Sequence, residues 1–421
     1  MKILLYGLNF APELTGIGRF SGDMAIWLAA RGHEVRAVTA PPYYPDWKVA
    51  EGYSGCWWRR ENWQGVDVIR CPLYVPQLAS GLRRIIHLAS FAISSAAPAK
   101  WLGLFWRPDV VFVVEPTAFV APAGLASAWF AGALSWLHVQ DFEFDAAIEL
   151  GLLPRAFSGS ASASERFMLR RFDTVSTISS RMVERLEGKD VPADRTVMFP
   201  NWVDTAHILP EADGAGFRAE LGVSQDAVVA LYSGNIGEKQ GIEQIATAAQ
   251  CVVQDRRDGD PPIQFVLAGA GAGLDVIEQA VRDHGLGENA FRLLPLQPEE
   301  KLPALLAMAD IHLLPQRAEA ADLVMPSKLG GMLSSGRPVV ASASPGTQIA
   351  QTVSSCGVVV EPGDGEAFGQ AVLGLARDAD RRKTLGVAAR LEAESNWDRN
   401  AVLERFEREL ERRVTARKEK R

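Results

Sequence analysis

Cysteine is scarce in this 421-residue chain. Cys56, Cys71, Cys251 and Cys356 are far apart and never form a CxxC pair. That pattern excludes a cysteine zinc site and a disulfide framework, and it suits a reducing compartment. Long apolar runs are also missing. No stretch of about 18 apolar residues free of charge stands out, which argues against a membrane span. The start, "MKILLYGLNFAPEL", has one lysine and a short strand-like run, without the apolar length or cleavage site of a signal peptide. The cytoplasm is the expected location. A basic excess is absent too: the net charge is −7, which excludes a general nucleic-acid binder. No acidic cluster has evident metal-ligand spacing, so the sequence does not require a metal such as Mg²⁺.

One absence is local. Residues 71–108 contain no Asp or Glu, but hold Arg83, Arg84, Lys100 and Arg107, with Trp101 and Trp106 near one end. Basic residues and tryptophan on an apolar helix suit the surface of an anionic membrane, here through residues 82–107. A core-facing helix pair is the competing reading.

What is present is alternation. Apolar strands at 2–8, 34–40, 109–115, 134–141 and 174–179 are separated by helical patterns such as 18–33. A second series, with strands at 227–234, 263–269, 311–316 and 338–343, has helices starting at 241, 274 and 326. Strands alternating with helices mean parallel sheets covered on both faces. The length suits more than one domain at roughly 100–200 residues each. The expected architecture is therefore α/β, with two doubly wound, Rossmann-like domains facing each other across a cleft. The Pro-, Gly- and Asp-rich stretch 199–216 is the expected hinge. Residues 1–203 form an N-terminal domain and 204–385 a C-terminal domain. Residues 386–421 are expected to pack back on the N-terminal domain, with 390–421 as one charged helix ending in a basic tail.

Ligands of such sheets bind beyond the carboxyl ends of the strands. In the first such loop, "LNFAPELTGIGRFSG", Gly16 and Gly18 precede a helix start that can present free N–H groups, and Glu13 can reach an acceptor or sugar hydroxyl. Its G-x-G-x-x-x-G order, and the lack of an acid after the second strand, disfavour a nicotinamide cofactor. The loop "YSGNIGEKQG" offers Ser233, Gly234, Asn235, Lys239 and Gln240 to a diphosphate, without a Walker A pattern. In "DLVMPSKLGGMLSSGRPVVA", Pro326 suits a first helical position, and Ser327 and Lys328 follow in the first turn. The turn "AGAGAG", with Gly269, permits close backbone approach to a flat base. Together these describe a nucleotide-diphosphate site in the C-terminal domain. Asp141, at the carboxyl end of a strand, suits acid–base work or stabilisation of positive charge. Gln140 and His138 share the opposite strand face if the strand is regular. Two adjacent glycines, Gly330 and Gly331, weaken the following helix and call for an explanation.

Several of these stretches resemble one family. "PNWVD" (200–204), "GRPVVA" (336–341) and "FVLAGAG" (265–271) are similar to motifs of GT-B glycosyltransferases of retaining family 4. The stretches 9–47, 137–153, "LYSGNIGEKQG" and "ADLVMPSKL" resemble its colanic-acid-type members, which act in exopolysaccharide synthesis and are often described as fucosyltransferases. The resemblance implies a nucleotide-sugar donor, GDP-fucose or another GDP- or UDP-sugar, on the C-terminal domain, with retention of configuration. It also implies a polyprenyl-diphosphate-linked saccharide acceptor, peripheral work at the inner leaflet, no metal and no cofactor besides the substrate.

On the family pattern, Gln140 and Asp141 stand at a His-Asp pair, with His138 two residues earlier. Asn235 and Gln240 stand at an Arg and a Lys. Leu323 and Gly331 stand at two acids, with Asp322 beside the first and able to bond sugar hydroxyls. Those departures leave open a non-catalytic nucleotide-sugar-binding scaffold and a GT-B-type epimerase.

Overall fold

The computed structural model describes residues 1–13, 16–77, 81–115, 118–142, 155–237, 240–318 and 326–419, leaving aside the side chains of 155–158, 160 and 161. The chain divides into two compact units, Met1–Asn201 with Leu403–Arg421, and Trp202–Val402. The changes of unit thus fall at 201/202 and 402/403, where the sequence reading set its domain ends at 203 and 385.

The first unit is built on eight strands: β1 (Lys2–Gly7), β2 (Glu34–Thr39), β3 (Arg59–Trp63), β4 (Val66–Arg70), β5 (Val110–Glu115), β6 (Leu134–Val139), β7 (Thr174–Thr177) and β8 (Thr196–Met198). Their order is β3-β4-β2-β1-β5-β6-β7-β8, parallel except for the β3–β4 hairpin. Every residue of β5 and β6 is buried, as expected of strands covered on both faces. The hairpin carries no apolar run in β3, which reads "RRENW", and the sequence reading did not see it. Its charges suit an exposed edge, and Gln64 and Gly65, both at positive φ, turn the chain.

Helix Gly81–Trp101 buries His87, Phe91, Ser95 and Ala99, one face at four-residue spacing. The Tyr6 hydroxyl and Ser95 Oγ lie 2.7 Å apart, tying this face to β1. Pro98 lies inside the helix and has no N–H for the Ser94 carbonyl. The Trp58 indole N–H takes that carbonyl instead, at 3.1 Å. The opposite face exposes Leu82, Ile85, Ile86 and Ile93, and the turn after the helix exposes Leu104 and Phe105. Trp106 corrects part of the membrane expectation. It is buried, its N–H donates to Glu34 at 2.7 Å, and the Arg36 guanidinium lies over its ring. Trp101 is exposed.

The C-terminal stretch is two helices, not one. Ala379–Glu392 runs into a π turn at Ala393–Trp397, and Arg399–Glu419 follows. The break lies at "NWD". The Trp397 carbonyl accepts the Val203 N–H at 2.8 Å, and Asp398 caps the next helix through the Ala401 N–H while accepting from the Thr205 hydroxyl. Beyond it, Phe406 anchors the last helix in the first unit. Its ring stacks on Phe199 at 4.1 Å and meets Phe112 and Trp136 edge-on at 5.4 Å each.

The second unit holds β9 (Val228–Asn235), β10 (Ile263–Ala270), β11 (Phe291–Leu294), β12 (Ile311–Leu314), β13 (Val339–Ser342) and β14 (Gly357–Val360). All pairings are parallel, in the order β11-β10-β9-β12-β13-β14. This is the doubly wound order whose direction of progression reverses between β9 and β12. In open parallel sheets such a reversal is where ligands bind, beyond the carboxyl ends of the strands. No described helix is long and apolar enough to cross a membrane.

Removing the Phe406 ring leaves a cavity among Phe199, Phe112 and Trp136. Phe406→Ala is expected to cost about 3–5 kcal/mol, read from chemical unfolding of the full chain.

Candidate active site

The β9–β12 reversal brings the first cluster together. Register pairs Gly234 with Gly269 and Asn235 with Ala270. A Cβ on Gly269 would stand 2.0 Å from the Gly234 carbonyl oxygen, and one on Gly271 would stand 2.3 Å from that of Ile236. The Ile236 N–H donates to the Ala270 carbonyl at 2.9 Å, and the Gly273 N–H to that of Ile236 at 2.8 Å. The glycines of "AGAGAG" therefore let one loop close on the other. This corrects the expectation for Gly269, whose missing side chain makes room for protein backbone and not for a base.

Lys328 opens the helix Lys328–Ser334, two residues later than the sequence reading started it, with Pro326 and Ser327 in the preceding turn. The Leu329 N–H bonds the Pro326 carbonyl at 3.1 Å. Ser327 is exposed and makes no side-chain cap bond. The Lys328 side chain folds back over β9. Its Nζ donates to the Tyr232 hydroxyl at 2.7 Å and stands 3.9 Å from that ring's centroid. Tyr232 in turn donates to the Asn235 carbonyl at 2.5 Å. Burial pushes the Tyr232 phenol up, so it stays neutral, and pushes the Lys328 ammonium down to about 7. Among the described residues no carboxylate bonds Lys328.

Gly234 has φ +123°, open to glycine, and a Cβ there would stand 3.3 Å from Lys328 Nζ. Ser233 is buried beside it. Gln240 lies within reach of Gly237, and its Oε1 is buried with no hydrogen-bond partner among the described residues. Lys239 and Asp322 lie outside the described residues. Tyr232 was missed from sequence. Its only signal was a hydroxyl-bearing aromatic at the inner end of an otherwise aliphatic strand.

The paired glycines are explained by packing. A Cβ on Gly330 would stand 3.2 Å from Trp397 and 3.3 Å from Val203, and one on Gly331 would stand 3.2 Å from Leu306. Both are buried, so they set the helix close to the core.

The second cluster lies in the first unit, after β1 and β6. Glu13 is buried, not solvated. Its Oε1 accepts the N–H groups of Tyr43 and Tyr44, both at 3.1 Å, and Oε2 accepts from Asn9 at 2.9 Å. Burial pushes its pKa up against those bonds. A Cβ on Gly18 would stand 2.4 Å from Oε2, and Gly16 turns at φ +63°. Buried Arg70 also donates to the Ala11 carbonyl. Glu13, Gly16 and Gly18 thus shape the first loop. Glu13 has both oxygens engaged, which corrects its expected reach to a hydroxyl.

His138 and Gln140 are corrected as well. His138 is buried, with Nδ1 2.9 Å from Ser176 Oγ and Nε2 2.9 Å from Gln140 Nε2. Burial lowers its pKa to about 3, so it is neutral near pH 7 and has no nitrogen to spare. Gln140 exchanges two bonds of 3.1 Å with Asn201, pinning "PNWVD" to the end of β6. Both side chains are thus engaged with one another and with Ser176 and Asn201. Asp141, half-buried, lies two residues past the end of β6.

Two doubly wound sheets with site loops at their strand ends define the class, a GT-B glycosyltransferase. A family model described as a glycosyl transferase 4-like domain matches residues 15–202, and one described as glycosyl transferases group 1 matches residues 227–378. The chain belongs to the glycosyltransferases that join these two domains. It is 42% identical over 416 residues to the Escherichia coli (strain K12) "Putative colanic acid biosynthesis glycosyl transferase WcaI", covering 96% of this chain and 98% of that one. It is 27% identical over 412 residues to the GDP-mannose-dependent alpha-(1-6)-phosphatidylinositol monomannoside mannosyltransferase of Mycolicibacterium smegmatis, covering 94% of each. Among solved structures, sucrose-phosphate synthase from Thermosynechococcus elongatus shares the fold, with a TM-score of 0.76, 19% identity and 99% of both chains covered.

The Lys328 environment predicts a pH effect on stability. Its pKa is about 7 when folded and about 10.4 in an unfolded chain. Below pH 7 the folded state holds a half-buried ammonium, and its desolvation penalty is fully present. From there to about pH 10 only the unfolded chain binds the proton, so stability rises with pH. Lys328→Met removes the penalty. It should unfold at a higher temperature than the parent at pH 6, with the gap closing towards pH 10 in a thermal melt.

Proposed function

We propose that this glycosyltransferase moves a sugar from a nucleotide-sugar donor to a lipid-linked saccharide in exopolysaccharide biosynthesis, with retention of configuration. The observation that carries the reading is Lys328, a lysine held at the β9–β12 reversal with a hydroxyl and no carboxylate among its described partners. A diphosphate supplies the missing anion. Lys328 and Ser327 bind its oxygens, and the ammonium stabilises the charge that develops as the diphosphate leaves. The colanic acid assignment of the E. coli relative favours an exopolysaccharide acceptor. The GDP-mannose dependence of the mycobacterial relative favours a GDP-sugar, GDP-fucose being the sugar that the colanic-acid-type resemblance suggests.

Asp141 is the carboxylate in this scheme. Beyond the end of β6 it orients the acceptor hydroxyl or offsets positive charge on the sugar as the glycosidic bond breaks. Transfer assays with GDP- and UDP-sugars test the reading. Asp141→Asn should abolish transfer while leaving donor affinity nearly unchanged, and normal turnover by this variant would remove Asp141 from the mechanism.

A lipid-linked acceptor calls for a place at the membrane. The exposed face of helix Gly81–Trp101 supplies apolar Leu82, Ile85, Ile86 and Ile93 beside exposed Arg83 and Arg84. Peripheral binding to an anionic inner leaflet follows, with these side chains at the headgroup boundary. The full chain should co-float with phosphatidylglycerol-containing liposomes at low salt and be released at high salt. Replacing Arg83 and Arg84 by Ala should weaken binding by about 2 kcal/mol, at about 1 kcal/mol per basic residue. A parent protein that stays free of the liposomes at low salt would exclude the membrane role.

A further inference from the structure

We propose that Tyr232 is a positioning residue that holds Lys328 ready for the donor diphosphate. This rests on the reading of Lys328 as the diphosphate ligand. The Tyr232 hydroxyl has one proton, and that proton is committed to the Asn235 carbonyl at 2.5 Å. Its lone pairs are thereby left to accept from Lys328 Nζ at 2.7 Å. The phenol thus accepts from the lysine and donates to the carboxyl end of its own strand. The lysine stem is confined from another side by the Gly234 backbone, where a side chain would stand 3.3 Å from Nζ. Without the phenol, the half-buried ammonium would have no described hydrogen-bond partner within the protein.

A simpler role for Tyr232 is to fill volume in the core. Phenylalanine fills the same volume and lacks only the oxygen, so it separates the two. Tyr232 is the titratable group facing Lys328 Nζ from β9, and burial alone lowers the lysine pKa, with no described charged group contributing. Losing the oxygen removes a bond to the charged form, so the lysine gives up its proton at still lower pH.

The test is calorimetric titration of the full chain with GDP, UDP and inorganic pyrophosphate between pH 6 and 9. For the parent, affinity is expected to decline above about pH 7 as Lys328 loses its proton. Tyr232→Phe should bind about tenfold more weakly at neutral pH, the loss expected for a hydrogen bond to a charged group, and its decline should begin at lower pH. Lys328→Ala should bind weakly, without the lysine-dependent decline. Gly234→Ala, which crowds the ammonium and leaves the phenol in place, should reproduce the Tyr232→Phe loss. If Tyr232→Phe keeps the parent's affinity and pH profile while Lys328→Ala loses affinity, Tyr232 is only core and the inference fails alone. Parent-like binding by Lys328→Ala, or no binding of any of the three probes by the parent, overturns the diphosphate reading itself.

Discussion

The second unit's site depends on how closely two strand ends can approach. Gly234 and Gly269 pair in register with no room for a Cβ between them. Any side chain at Gly269 would push the β10 end off the Gly234 carbonyl and open the bonds from Ile236 to Ala270 and from Gly273 to Ile236. The Asn235 carbonyl would move with them. It holds the Tyr232 proton, and Tyr232 holds Lys328. A backbone contact that binds nothing itself thus fixes the position of a charged group. Supporting contacts of this kind keep a binding group in place before its ligand arrives.

Much of this was legible in the sequence, and the failures have physical causes. Buried parallel strands announce themselves as apolar runs, so β1, β5, β9 and β10 were found within a residue or two. β3 was not, because an exposed charged edge strand lacks that signal, and β4 beside it is a short strand interrupted by Asp67 and Arg70. The long C-terminal helix was read through its break because "NWD" carries no glycine or proline. The break comes from tertiary partners, Val203 and Thr205, about 190 residues earlier in the chain. Loops were found more reliably than the jobs of their residues. Glu13 and His138 have the right chemistry in the right neighbourhood, yet every polar atom of their side chains is bonded within the protein. Sequence reports which groups are available, and only geometry reports which are already engaged.

Gly331 shows the same limit from the other side. The family resemblance puts an acid there, and the sequence alone left the two adjacent glycines unexplained. The structure gives both glycines a packing reason instead. Trp397, Val203 and Leu306 fill the space where side chains would go. The helix is brought close to its core.

The partnering of Lys328 has an energetic consequence. An ammonium held mainly by a phenol is poorly compensated for the water it has lost, and its depressed pKa expresses that cost. An arginine would resist deprotonation and a solvated lysine would not be desolvated at all. On the diphosphate reading proposed above, a half-buried, weakly partnered lysine gains from an arriving anion, which restores the charge balance that partial burial removed. The same asymmetry explains why the phenol matters: it keeps the lysine in place in either protonation state, so binding has only to supply charge and not to order a flexible chain.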